Sequence, residues 1–264
     1  MDNYVKQRLE EIKQQGFKVE TGALFSRAWE IFSGIAAYSI VALLLYGVVV
    51  LIMSFVSQLI YAPAAVAISD MNDLEDYYIE TFTAPLFFVS NLVSIVVYAA
   101  AAPILFSIVT MARKFEKSET VGMNDIFEHY SNGNFMNIFL TYLVIQIVAS
   151  IGFVLCLIPG LVFQLATVLS VPFVLFAKAT VGEAITSSIS VSFKNFGSIF
   201  VFGLLTFCVI VLGFLACVVG LVVAIPLVYI ALYCLYKEVI GFDDEQSEID
   251  QIGTDIYKDN PYMK

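Results

Sequence analysis

The chain has 264 residues, of which 60% are hydrophobic and only 14% charged, with a mean hydropathy of +0.88. Soluble domains run at about 45–50% apolar and about 25% charged residues, so a soluble one- or two-domain protein is excluded. Thirteen Lys and Arg and a pI near 4.5 likewise exclude a nucleic-acid-binding chain, leaving a multi-pass membrane protein.

Read in chain order, residues 1–33 form a polar to amphipathic N-terminal segment. Val5, Leu9 and Ile12 fall on one helical stripe beside Lys6, Arg8 and Lys13. That pattern suits a helix lying on the membrane or one packed on the protein's own loops. A second amphipathic helix is predicted over Gly22–Phe32, with Phe25, Trp29 and Phe32 on one face and Trp29 as an interfacial anchor. The first apolar run is too long for a signal-peptide core and is expected to be an uncleaved anchor.

A membrane helix needs about 20 apolar residues. The long stretches free of ionisable residues are Ile31–Ser69, Thr81–Ala112, Tyr130–Ala177 and Asn195–Tyr236, of 39, 32, 48 and 42 residues. The first two each predict one span, about Gly34 to Ala62 and Pro85 to Ala112. The last two are too long for single helices. Turn signals at Pro159-Gly160 and at Gly220 predict two hairpins, with spans at 136–158, 161–178, 197–218 and 221–237. No alternation of polar and apolar residues suggests strands. The expected fold is all-α, a bundle of six transmembrane helices over 34–240, followed by an acidic tail over 241–264.

Positive charge fixes the expected orientation. Lys and Arg number five before the first span, three in the 113–135 loop, two around 178–195 and three after the last span. The loop between the first two spans and both hairpin turns carry none. All positive residues thus fall on one side, which the positive-inside rule makes cytoplasmic, with both termini inside.

The sequence also repeats. Over 134–156, nine of 23 positions recur identically 61 residues later, including Asn134/Asn195, Gly152/Gly213 and Cys156/Cys217; Gly160 then matches Gly220 after a one-residue gap. The first third has the same layout without the identities. Amphipathic stripes precede the second pair of spans (Ile126, Phe127, Tyr130) and the third (Ile185, Ile189, Phe193), and each second span carries a proline: Pro103, Pro172, Pro226. The economical reading is three parallel repeats of an interfacial helix plus two spans.

Chemistry is sparse. No ionisable residue lies mid-span, where such groups normally mark ion or proton paths. His129 is expected to be a solvated surface side chain. The four cysteines (Cys156, Cys208, Cys217, Cys234) lie within spans and suggest neither disulfides nor zinc. No cofactor or metal site is indicated, and an enzyme is not expected. The acids of the 63–84 loop (Asp70, Asp73, Glu75, Asp76, Glu80) are expected to be solvated. Asn91, Gln146 and Gln164 are the side chains costliest to place against lipid. They are expected to face the bundle interior as candidates for an uncharged polar pathway.

Pro159-Gly160, Pro172, Glu183-Ala184-Ile185 with Ser187 or Ser188, and Lys194-Asn195-Phe196 form a run that resembles a group of bacterial membrane proteins. These are the membrane domain joined to some glycerophosphodiester phosphodiesterases and related stand-alone integral membrane proteins. The resemblance implies a bacterial inner membrane. It implies no enzyme activity, because the phosphodiesterase barrel has no counterpart in this chain. A scaffold or accessory factor in envelope or lipid homeostasis is the first expectation. It would engage membrane lipids, and a protein partner through the acidic tail or interfacial helices. The alternative is a transporter or flippase for an apolar or lipid-like solute.

Overall fold

A computed structural model describes residues 1–65, 85–216 and 219–243. The acids of the 63–84 loop, Cys217 and the acidic tail from Asp244 onward lie outside the described residues. The described residues are helical without strands: α1 (Asn3–Gln15), α2 (Thr21–Ala65), α3 (Pro85–Glu116), a 3-10 segment (Met123–Phe127), α4 (Glu128–Ser131), α5 (Phe135–Leu155), α6 (Leu157–Ala166), α7 (Ser170–Ala177), α8 (Val181–Lys194), α9 (Phe196–Leu215) and α10 (Val219–Val239). Six helices, counting α6 and α7 as one, are long and apolar enough to cross a membrane. The chain is a multi-pass membrane protein.

Helices α2, α3 and α10 form the centre of the bundle and pack on one another. From Ala99 to Ala112, α3 is buried almost all round, as a central helix must be. Small residues (Ala99, Ala102, Ala112) let its neighbours approach closely. The outer faces of α2, α5 and α9 are apolar and exposed; Val154 and Leu155 reach 87% and 78% exposure. Hydrocarbon covers such faces in a bilayer, where they carry no hydrophobic penalty.

Several expectations change. Thr21–Ala65 is one unbroken helix of 45 residues, so no separate interfacial helix precedes the first span. Its Leu24, Ala28, Ile31 and Ile35 pack into the core while Trp29 stays 54% exposed. Up to Ala62 this stretch contains no proline, and a glycine at 34 costs only about 1 kcal/mol. Gly34 is instead where Phe115 crosses: a Cβ there would lie 2.2 Å from its ring. Before the second pair of spans there is only the 3-10 segment and one helical turn. Helix α8 alone is a separate helix of the expected kind, and its buried face is Ala184, Ser188, Val191 and Ser192 rather than the Ile185, Ile189, Phe193 stripe.

Val5, Leu9 and Ile12 of α1 are buried against the protein itself. Asp2 donates its backbone N–H to Ala177 (3.2 Å), Tyr4 Oη donates to the Ile240 carbonyl (3.3 Å) and Arg8 Nε donates to that of Val239 (3.3 Å). Of the two readings of this stripe, internal packing is the one realised. His129 is 1% exposed rather than solvated, with Nε2 3.3 Å from Thr110 Oγ1. The one-turn α4 folds it back onto α3, which a view of the loop as an open connection misses.

Candidate functional site

The first hairpin turns differently from the sequence expectation, and in the second Gly220 lies inside α10. The α5–α6 reversal occurs at Cys156, the single extended residue between the helices. Pro159 and Gly160 stand just after it in the first turn of α6, where a missing N–H costs no helical bond. Gly160 is where the arms of the hairpin cross: a Cβ on it would lie 2.5 Å from the Phe153 ring, and one on Gly152 would lie 3.0 Å from the Cα of Gly160. In the α9–α10 hairpin a Cβ on Gly220 would lie 2.5 Å from the Gly213 carbonyl oxygen. The paired glycines exist for contact between helices.

The returning span of the first hairpin is broken. Helix α6 ends at Ala166 and α7 begins at Ser170. Pro172 cannot donate to the Val168 carbonyl, and it lies in the first turn of α7, where that loss is tolerated. Ser188 of α8 spans the gap. Its Oγ donates to the Ala166 carbonyl (2.9 Å) and accepts the Leu169 N–H (3.1 Å), so one hydroxyl satisfies two backbone groups freed by the break. Ala184, one turn earlier on α8, is fully buried, and Glu183 caps the helix by accepting the Thr180 N–H at 3.0 Å. Glu183 lies below the usual carboxylate range, chiefly because of the Thr180 backbone and hydroxyl hydrogen bonds. Asn195 joins α8 to α9, its side chain against Gly16, whose φ of +72° also requires glycine.

Beside the break lies a cavity of about 480 Å³, within the size range of ligand pockets. Thr167, Val168 and Val171 form one wall, and the others come from α3 (Phe106), α5 (Tyr142, Gln146), α6 (Gln164), α9 (Phe202, Thr206, Phe207) and α10 (Tyr229, Leu232). Gly203 lets α9 approach α6, since a Cβ there would meet Leu165 at 2.3 Å. Gln146 and Gln164 thus line the same cavity from opposite arms of the first hairpin. The Tyr142 hydroxyl interacts with Gln146 and with Tyr46 of α2. Among the described residues, no Asp, Glu, Lys, Arg or His lines the cavity. Its chemistry is apolar walls with a few neutral hydrogen-bonding groups, suited to holding a molecule and lacking a carboxylate, imidazole or amine for proton transfer.

Compared with protein-family models, curated proteins and solved structures, the chain matches none of them.

Asn91 does not join the two glutamines. It is exposed on α3, and its Nδ2 donates to the Phe87 carbonyl one turn back (2.8 Å). Bonding within its own helix reduces the cost that argued for an interior position. Thr206 and Tyr229 carry no signal that singles them out from other apolar-span polar residues. Ser188 does: it sits among Ala184, Val191 and Ser192 at helical spacing, a small-residue face that permits close helix contact.

Charge gathers at one end of the bundle. The Glu116 carboxylate accepts hydrogen bonds from Arg27, from Tyr233 and from Lys237 (2.7 Å), joining α3 to α2 and α10. Lys114 bonds Asp125 and Glu128 at 2.8 Å each. Burial pushes the Asp125 carboxyl up, but the Lys114 ammonium and the Gly122 N–H outweigh it and hold it below its usual range. The Arg113 guanidinium stacks on Phe242 (3.9 Å) and Phe176 (5.3 Å).

Proposed function

We propose that this chain is a non-enzymatic, multi-pass protein of the bacterial cytoplasmic membrane that takes an apolar or lipid-like molecule into the bundle and carries or flips it. The observation behind the proposal is the cavity: it is apolar, uncharged and bordered by a discontinuous span. Unwound backbone inside a membrane is tolerated where it is buried or lines a cavity, and broken spans at binding sites are a recurrent feature of transporters. The orientation with both termini inside rests on the one-sided distribution of Lys and Arg. The resemblance to the membrane domain of glycerophosphodiester phosphodiesterases, and the repeat of paired spans with matching hairpin glycines, belong to the same proposal.

The rival, a scaffold or accessory factor in envelope or lipid homeostasis, is less favoured. One surface it could offer a partner, the apolar stripe of α1, is occupied by the protein itself. Reconstitution tests the choice. Vesicles bearing the protein should move a fluorescent lipid analogue between leaflets faster than protein-free vesicles, and a bulky residue at Thr206 should slow this. Equal rates with and without protein would remove the carrier reading. Reporter fusions within 66–84 and at the C-terminus should lie on opposite sides of the membrane; fusions on the same side would sink the topology.

A further inference from the structure

Resting on the lipid-binding reading above, we infer that the cavity is built for a neutral amphiphile: hydrocarbon beneath a head that carries a hydroxyl or carbonyl and no charge. The apolar walls account for the hydrocarbon. Neutral polar side chains account for the head: Gln146, Gln164 and Thr206, with Tyr142, Thr167 and Tyr229 on the same walls. The Thr206 Oγ1 is buried and makes no hydrogen bond. Helical threonines can bond back to the preceding turn, as Thr167 does to the Phe163 carbonyl at 2.8 Å. Thr206 leaves that possibility unused at the cavity wall. A hydroxyl buried without a partner is costly, and a χ1 rotation that turns the Thr206 hydroxyl toward a ligand head with a donor or acceptor would remove that cost. A pure hydrocarbon would not, and it would bury the two glutamine amides against apolar surface.

A charged head is disfavoured by the same inventory. The cavity offers no counter-charge, and an unpaired charge at membrane depth is expensive. Basic groups at the charged end of the bundle are engaged elsewhere. Arg27 and Lys237 bond Glu116, Lys114 bonds Asp125 and Glu128, and Arg113 stacks on two rings.

The full chain in phosphatidylcholine nanodiscs provides the test, with a diacylglycerol carrying a photoactivatable group on one acyl chain as the probe. Crosslinks mapped by mass spectrometry should fall on α5, α6 and α9. Unlabelled diacylglycerol should compete at least about tenfold better than phosphatidate of the same chains or than a long alkane. The Q146L/Q164L double variant should bind the probe about tenfold more weakly, as expected for losing one or two net hydrogen bonds. Leucine suits a membrane helix, so the variant should fold; I210F, which enlarges a further cavity-lining side chain of α9 and keeps the amides, should also abolish labelling. Competition by phosphatidate or alkane equal to that of diacylglycerol, or unchanged binding by Q146L/Q164L, would overturn the neutral-head assignment while leaving a lipid site in place. Competable labelling absent for every amphiphile would overturn the lipid-binding reading itself.

Discussion

The two hairpins of the second half, α5 to α7 and α9 to α10, share a plan and differ in one arm. Each begins after an asparagine, Asn134 or Asn195, and in each a glycine of the outgoing helix meets a glycine of the returning one, Gly152 with Gly160 and Gly213 with Gly220. Each returning span contains a proline. Yet α10 runs through Pro226 as one helix, whereas the span with Pro172 unwinds over Thr167 to Leu169. A proline is therefore insufficient to break a span. What differs is the neighbour: α8 delivers the Ser188 hydroxyl to the backbone groups that unwinding exposes. In hydrocarbon an unsatisfied peptide group costs several kcal/mol, so a break persists where a side chain answers it.

The largest effects are expected at the glycines. Gly220 faces backbone, whereas the nearest neighbour of a Cβ at Gly160 is the movable ring of Phe153. Alanine at Gly220 should cost about 3 kcal/mol, at the upper end for overpacking, and alanine at Gly160 about 1 kcal/mol. Unfolding in mixed micelles would measure both. Equal losses would show that the crossings are not set by what each glycine faces.

Ser188→Ala should cost about 2 kcal/mol, because it strips partners from a buried N–H and a buried carbonyl together. Hydrogen exchange should rise locally at Leu169. Pro226→Ala, in the unbroken helix, should change stability by less than about 1 kcal/mol. A larger effect there than at Ser188 would show that proline, and not the serine hydroxyl, decides which span breaks.

The smallest effect is one of pH, and it falls on the first hairpin alone. His129 lies in the turn leading into α5. Burial pulls its imidazole below the ordinary 6.5, with Lys114 adding to the drop and Glu128 opposing it. The folded protein holds this histidine neutral at a pH where the unfolded chain already binds a proton. Stability from this group is therefore complete above about pH 6.5 and declines as the pH falls below it. Exchange at the start of α5 should quicken on acidification while α9 stays unchanged. His129→Gln should flatten that response.

Much of the fold is legible from charge and apolar length alone. Six spans follow from four uncharged runs and two turn signals, because a polar backbone in hydrocarbon has few alternatives to helices. Local positions are less legible. The reversal falls at Cys156 rather than at Pro159-Gly160, since a proline is as comfortable in a helix's first turn as in the bend before it. The site is legible only in part. Gln146 and Gln164 stand out by polarity and line the cavity, but Asn91 stands out equally and faces outward, its amide bonded to its own helix.

A composition of 60% hydrophobic and 14% charged residues determined the class of molecule, and the placing of its uncharged runs and turn signals determined how many helices are long and apolar enough to cross. Those are properties of solvation, which each stretch of chain expresses without reference to the rest. Tertiary structure decided what composition could not: that α1 turns its apolar stripe inward, that His129 is buried, that one proline-bearing span breaks while another continues, and that two glutamines line one cavity. Each depends on which neighbour a residue meets. In a chain this apolar, many faces could be turned toward lipid at similar cost, so packing rather than hydrophobicity chooses among them.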